Sequence, residues 1–224
     1  MALVRGAGKS REIGLFLILY YGYGGVGYLL ISKLVAIGGT FTSLRSWADD
    51  AVPFQEQFVW LYIAHYFFPL LLVVSLRSIE QFTELLMSYF AVITVAFVCF
   101  ATYPVEMIRP SNLPTNLSGE LLAALYRLDT PALNCLPSLH VAISVLTAAL
   151  AWHHRRWLGC VFGLIAFGIS VSALLVKQHW VVDTGAGAAL GLWGYGYVYR
   201  NYAYRRIMQL WELLRESFSI EING

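Results

Sequence analysis

From Ile13 to Ser32, and again from Trp157 to Val176, the chain runs for 20 residues without a charged side chain. A helix of that length and character matches the roughly 30 Å hydrocarbon layer of a bilayer. Related stretches occur at about 58–76, 85–103, 139–152 and 181–199, the fourth of the six being short. The chain is therefore expected to be all-α, a polytopic membrane bundle of six transmembrane helices forming one membrane-embedded domain over 1–224. Composition agrees: 58% of residues are hydrophobic and 12% charged, against about 25% charged in soluble domains. A soluble globule and a disordered chain are both disfavoured. A net charge of +2 is too small to imply nucleic acid as a partner. Cys99, Cys135 and Cys160 have neither an even count nor metal-ligand spacing, so no disulfide framework and no metal site is expected.

Arg5, Lys9 and Arg11 precede the first stretch as the basic region of a signal peptide would. The apolar run is longer than a signal core and lacks a clear cleavage site before Lys33, so it is read as a retained span. Six spans put both termini on one side. That side, counted with the Arg77 and Arg155-Arg156 turns, carries ten of the 15 Lys and Arg residues. The positive-inside rule makes it cytoplasmic. The segments 33–57, 104–138 and 177–180 then face away from the cytoplasm, and 200–218 is expected to form an amphipathic helix on the membrane surface.

The outward side gathers the ionisable residues. Arg109 follows the third span, Ser138, Leu139 and His140 open the fourth, Lys177 and His179 close the fifth, and Asp183 lies one turn into the sixth. An acid inside a span is costly and marks a functional site by default. Here His179 and Asp183 stand at i and i+4, stacked on one face of a helix. The set suits phosphoryl transfer. Asp183 would fix the tautomer of His179, whose other ring nitrogen attacks phosphorus. His140 would protonate the leaving oxygen, Arg109 and Lys177 would hold phosphate oxygens, and the N–H groups around Ser138 and Leu139 would face the anion at a helix N-terminus. Ser138 has a second reading, as the cap of the fourth span.

Arg109-Pro110, Pro137-Ser138-Leu139-His140, and His179 with Asp183 four residues on resemble the three motifs of the type 2 phosphatidic acid phosphatase superfamily. The resemblance implies a six-span enzyme acting on lipid phosphates through a phosphohistidine, with no metal and no cofactor. Thr102 and Ala173 stand where that family carries a lysine and an arginine, which makes Lys177 the substitute cation. Leu139 replaces the family's glycine, and Pro-Ser-Leu-His is similar to the inositol phosphorylceramide synthase branch. The expected activity is thus hydrolysis of a lipid phosphate or pyrophosphate, with phospho-headgroup transfer as the alternative.

An ion-coupled transporter is the rival from another class. Carriers place charges near the midplane between repeats, whereas here they cluster at one interface and no repeat is visible. Other features have plainer readings. Gly22 to Gly27 matches a dinucleotide fingerprint but lies in a span, where close helix packing is the better reading, as it is for Gly187 and Gly191. Asp49-Asp50 reads as a solvated loop end, His65 as a buried hydrogen-bonded side chain, and His153-His154 as part of a cytoplasmic turn.

Overall fold

The computed structural model describes residues 11–200 and position 209. Beyond its first residue the expected surface helix at 200–218 lies almost wholly outside the described residues. The described residues are mostly helical: α1 (Arg11–Ala36), α2 (Trp47–Ala51), α3 (Val59–Ser75), α4 (Ile79–Thr102), α5 (Leu117–Leu128), α6 (Leu139–His154), α7 (Arg156–Leu175) and α8 (Val181–Trp193). Two strands, β1 (Thr42–Ser43) and β2 (Val105–Glu106), pair in parallel with Thr42 opposite Val105. Every apolar stretch read from the sequence is a helix. Length and composition qualify four of them to cross a membrane: α1, α3 with the 3₁₀ turn before it, α4 and α7. α6 has 16 residues, about 24 Å of rise. α8 has 13 and is prolonged by a π-helical segment, Gly194–Tyr199.

The short α6 is the centre of the bundle. Ten of its 16 residues are buried, on all sides of the helix, as expected for a helix surrounded by others. α7 folds back on it through a turn at Arg155, where a Cβ on Gly159 would come within 2.4 Å of Trp152 Cα. α8 packs as closely from the other side. A Cβ on Gly187 would meet Ser138 O at 2.4 Å, and one on Gly191 would meet Ala142 O at the same distance. The small-residue reading of these two glycines therefore holds. Gly24 and Gly27 pack in the same manner against Ile93 and Phe97 of α4. They fall in and just after a second π-helical segment, Ile18–Val26 of α1.

The segment 104–138 is more ordered than a loop. Asn116 accepts the Gly119 N–H and caps α5, whose apolar face packs Leu122 and Tyr126 with Val59, Tyr62, Ala173 and Val176. β2 is bridged to Asn134 as well as to β1. Around this ladder Val105, Met107, Cys135 and Trp180 form a small core of their own. Four chain segments are thereby fixed at the end of the bundle where α6 and α8 begin.

Candidate functional site

Ser138 is the N-cap of α6: its Oγ accepts the Val141 N–H at 3.4 Å, and its own N–H donates to Asp183 O at 3.0 Å. Its hydroxyl thus caps α6 from within and its N–H joins α6 to α8, so the capping reading is realised and the Ser138 N–H is not free for an anion. Pro137 directly precedes the cap. The following residues, Leu139 and His140, are buried, and His140 enters a cluster of rings.

In that cluster His140 Nδ1 lies 3.3 Å from His179 Nε2, with both side chains buried. Tyr62 Oη is 2.7 Å from His140 Nε2, and His179 Nδ1 is 3.1 Å from the Cys135 carbonyl. With Tyr62 donating, the ring protons fall into one order: His140 Nδ1–H donates to His179 Nε2, and His179 Nδ1–H donates to Cys135 O. This tautomer leaves the His179 lone pair on Nε2, facing His140. The two rings touch, so a phosphoryl group fits between them only after they part by several ångström.

Asp183 differs from the expectation. Its Oδ2 accepts the Trp180 N–H at 2.9 Å and lies 3.8 Å from His179 Nδ1, beyond hydrogen-bond distance. The i, i+4 argument assumed one continuous helix. α8 begins at Val181 with Trp180 as its cap, so His179 precedes the helix and the backbone carbonyl of Cys135 takes the orienting role. The carboxylate remains beside the ring, and its Oδ1 is buried with no hydrogen-bond partner.

Arg109 is hydrogen-bonded to other groups than the two imidazoles. Its guanidinium donates to the Asp129 carboxylate, to Asp129 O at 2.8 Å, to Tyr126 O at 3.2 Å and to Gln178 Oε1, and stacks 4.6 Å above the Tyr126 ring. Burial pushes the Asp129 carboxyl up, against the pull of Arg109. Glu106, three residues before Arg109, offers its carbonyl to the Trp180 indole at 2.9 Å.

Lys177 is turned away. It adopts φ of +49°, the left-handed conformation in which chains leave helices. Its Nζ donates to Val52 O at 2.6 Å and Asp49 O at 3.2 Å. It ties the 49–52 loop to the end of α7 and is not placed on the histidine pair, so the expected substitute cation is absent from this position. Asp49 is no solvated loop end either. It is buried, closes a capping box with Ser46 on α2, and accepts the Val181 N–H at 2.7 Å. Asp50 pairs with Arg45 on the surface.

His65 is buried and hydrogen-bonded as the sequence reading has it, but its place against His140, and the parts played by Tyr62, Asp129 and Gln178, escaped sequence reasoning. His65 packs its ring 4.6 Å from that of His140, and is held by Tyr20 Oη at 2.8 Å and Ser144 Oγ at 3.3 Å. Tyr62 and His65 are three residues apart on α3, polar tips in an apolar run and on one helical face, which was a readable signal. Asp129 and Gln178 carried none. Beside the rings lies a cavity of about 450 Å³ between α1, α3, α4, α5 and α6, lined by apolar and aromatic residues, with His65, Asp129, His140 and Gln178 among its walls.

Fold and site together define a class: a mostly helical protein with four helices fit to cross a membrane and a buried histidine pair at one end. Comparison with protein-family models, with curated proteins and with solved structures finds no match.

Proposed function

We propose that the chain is an integral membrane phosphoesterase that hydrolyses a lipid phosphate or pyrophosphate through a phosphohistidine on His179. The observation that carries the reading is the facing of His140 Nδ1 and His179 Nε2, 39 residues apart in sequence, at 3.3 Å. The tautomer favoured by Cys135 O supports it, as does the apolar cavity alongside, which suits the hydrocarbon part of such a substrate. All six helices cross the membrane in this reading. The excess of Lys and Arg on the side of the Arg155-Arg156 turn supports a site on the extracytoplasmic face.

Substrate enters between the two rings and separates them. His179 Nε2 attacks phosphorus, and the bond from phosphorus to the lipid oxygen breaks. His140, carrying both ring protons in the substrate complex, gives its Nδ1 proton to that oxygen and keeps Nε2–H on Tyr62 Oη. Water then attacks the phosphohistidine as His140 Nδ1 takes its proton, which releases phosphate and restores His179. Arg109 serves the phosphate by exchanging its bond to Asp129 for one to a phosphoryl oxygen.

The test is phosphate release by purified protein from a panel of lipid phosphates and pyrophosphates in mixed micelles. His179→Ala is expected to reduce release by about three orders of magnitude or more while leaving the protein folded. No release from any member, or release unchanged in His179→Ala, overturns the reading. A phosphorylated alcohol formed in place of free phosphate when an acceptor is added assigns headgroup transfer to the same residues.

A further inference from the structure

Behind the histidine pair the side chains of Cys135, His179 and Asp183 converge. One donor atom from each lies within 4.8 Å of the other two, and all three residues are buried. Tetrahedral coordination at the usual bond lengths of about 2.0–2.3 Å sets donor atoms roughly 3.5 Å apart, so closure by about 1 Å supplies three of the four positions, and a water takes the fourth. The three come from different elements, the 132–137 turn, the α7–α8 connection and α8. The carboxylate also keeps Oδ1 without a hydrogen-bond partner and fully buried, a state that a nearby cation would relieve.

We propose that Cys135, His179 and Asp183 form a binding site for a zinc-like divalent cation, and that filling it stops turnover. A thiolate, an imidazole and one carboxylate oxygen are a donor set for zinc or cobalt rather than for magnesium or calcium, which take oxygen ligands. Binding balances simply. The thiol proton of Cys135 leaves to solvent as sulfur bonds to the metal, and thiolate plus carboxylate neutralise the dication. His179 meets the metal through Nδ1, the nitrogen nearest Asp183. Its ring proton moves to Nε2, so the lone pair that attacks phosphorus is gone. This second half rests on the function proposed above; the binding half does not.

Cobalt(II) is the probe, added to the full chain in detergent with Cys99→Ser and Cys160→Ser in place. These remove the two cysteines outside the site. The expected result is intense visible bands of a tetrahedral complex with a near-ultraviolet thiolate charge-transfer band, both displaced by zinc. Cys135→Ser is expected to lose the charge-transfer band. Zinc should raise the unfolding temperature of the parent but not of Cys135→Ser, a comparison that also reports whether the variant is folded. Absence of the charge-transfer band in the parent, or its survival in Cys135→Ser, overturns the site. Phosphate release is then measured across the same zinc titration, with loss expected as the site fills and recovery on chelation. Full activity with the site filled overturns the inhibitory half. A cobalt band without phosphate release from any lipid leaves the metal site standing and removes the proposed function.

Discussion

Two charged residues near the site, Lys177 and Asp49, do other work than the sequence reading gives them. Lys177 holds Asp49 O and Val52 O with its ammonium group. Lys177→Met is expected to lower stability by about 1–2 kcal/mol while the KM for a lipid phosphate stays within about twofold. Thermal unfolding and initial rates check this, and a KM rise of roughly tenfold would return Lys177 to the phosphate. Asp49 gives a pH signature. Burial alone would raise its carboxyl, but hydrogen bonds from the Ser46 hydroxyl, the Val181 N–H and the Ser46 N–H outweigh that, and the group titrates below the ordinary carboxylate value. A depressed carboxyl contributes stability that is fully present above its unfolded pKa and is lost as pH falls through the folded one. Asp49→Asn should therefore be less stable than the parent at neutral pH, with the gap closing in acid below the ordinary carboxylate range. A gap that stays constant across the titration would show that the charge of Asp49 is not what anchors Val181.

Among elements, the α6–α8 contact decides where His140 sits relative to His179. Gly187 has no room for a side chain, since its Cβ would lie 2.4 Å from Ser138 O. Gly187→Ala is expected to cost about 1–3 kcal/mol by overpacking and to reduce turnover, because Ser138 carries the start of α6. Gly185, on the same helix, has nothing within 4 Å of its Cβ position. Gly185→Ala should leave both the unfolding temperature and turnover near the parent's. Equal effects of the two substitutions would mean that helix propensity, not the close approach, governs Gly187.

For the whole molecule the decisive measurement is orientation. After replacement of the native cysteines, a cysteine at the exposed Ser111 is expected to react with a membrane-impermeant maleimide in intact cells. One at the exposed His153 should react only after permeabilisation. The warrant is the Arg155-Arg156 pair on a turn of very few residues, where the positive-inside rule is most dependable. The reverse pattern would put the histidine pair on the cytoplasmic side and limit substrates to that leaflet.

The sequence by itself determined where the helices lie and which end of the bundle holds the ionisable residues. Apolar run length is a local property, and a helix needs no distant residue to satisfy its backbone. It also brought His140 and His179 to one end, because one hairpin of two helices separates them. Only the tertiary structure decided what each polar group touches. Arg109 meets Asp129 and Gln178, and Lys177 meets a loop more than a hundred residues away. His179 is oriented by the Cys135 carbonyl, because α8 starts two residues after it and the expected helical stacking on Asp183 never forms. His65 was legible as a buried histidine, but not as the ring against His140. Spacing along the chain fixes which residues share a helix face, whereas partners across helices follow from close approaches such as those at Gly187 and Gly191, set by the packing of the whole bundle.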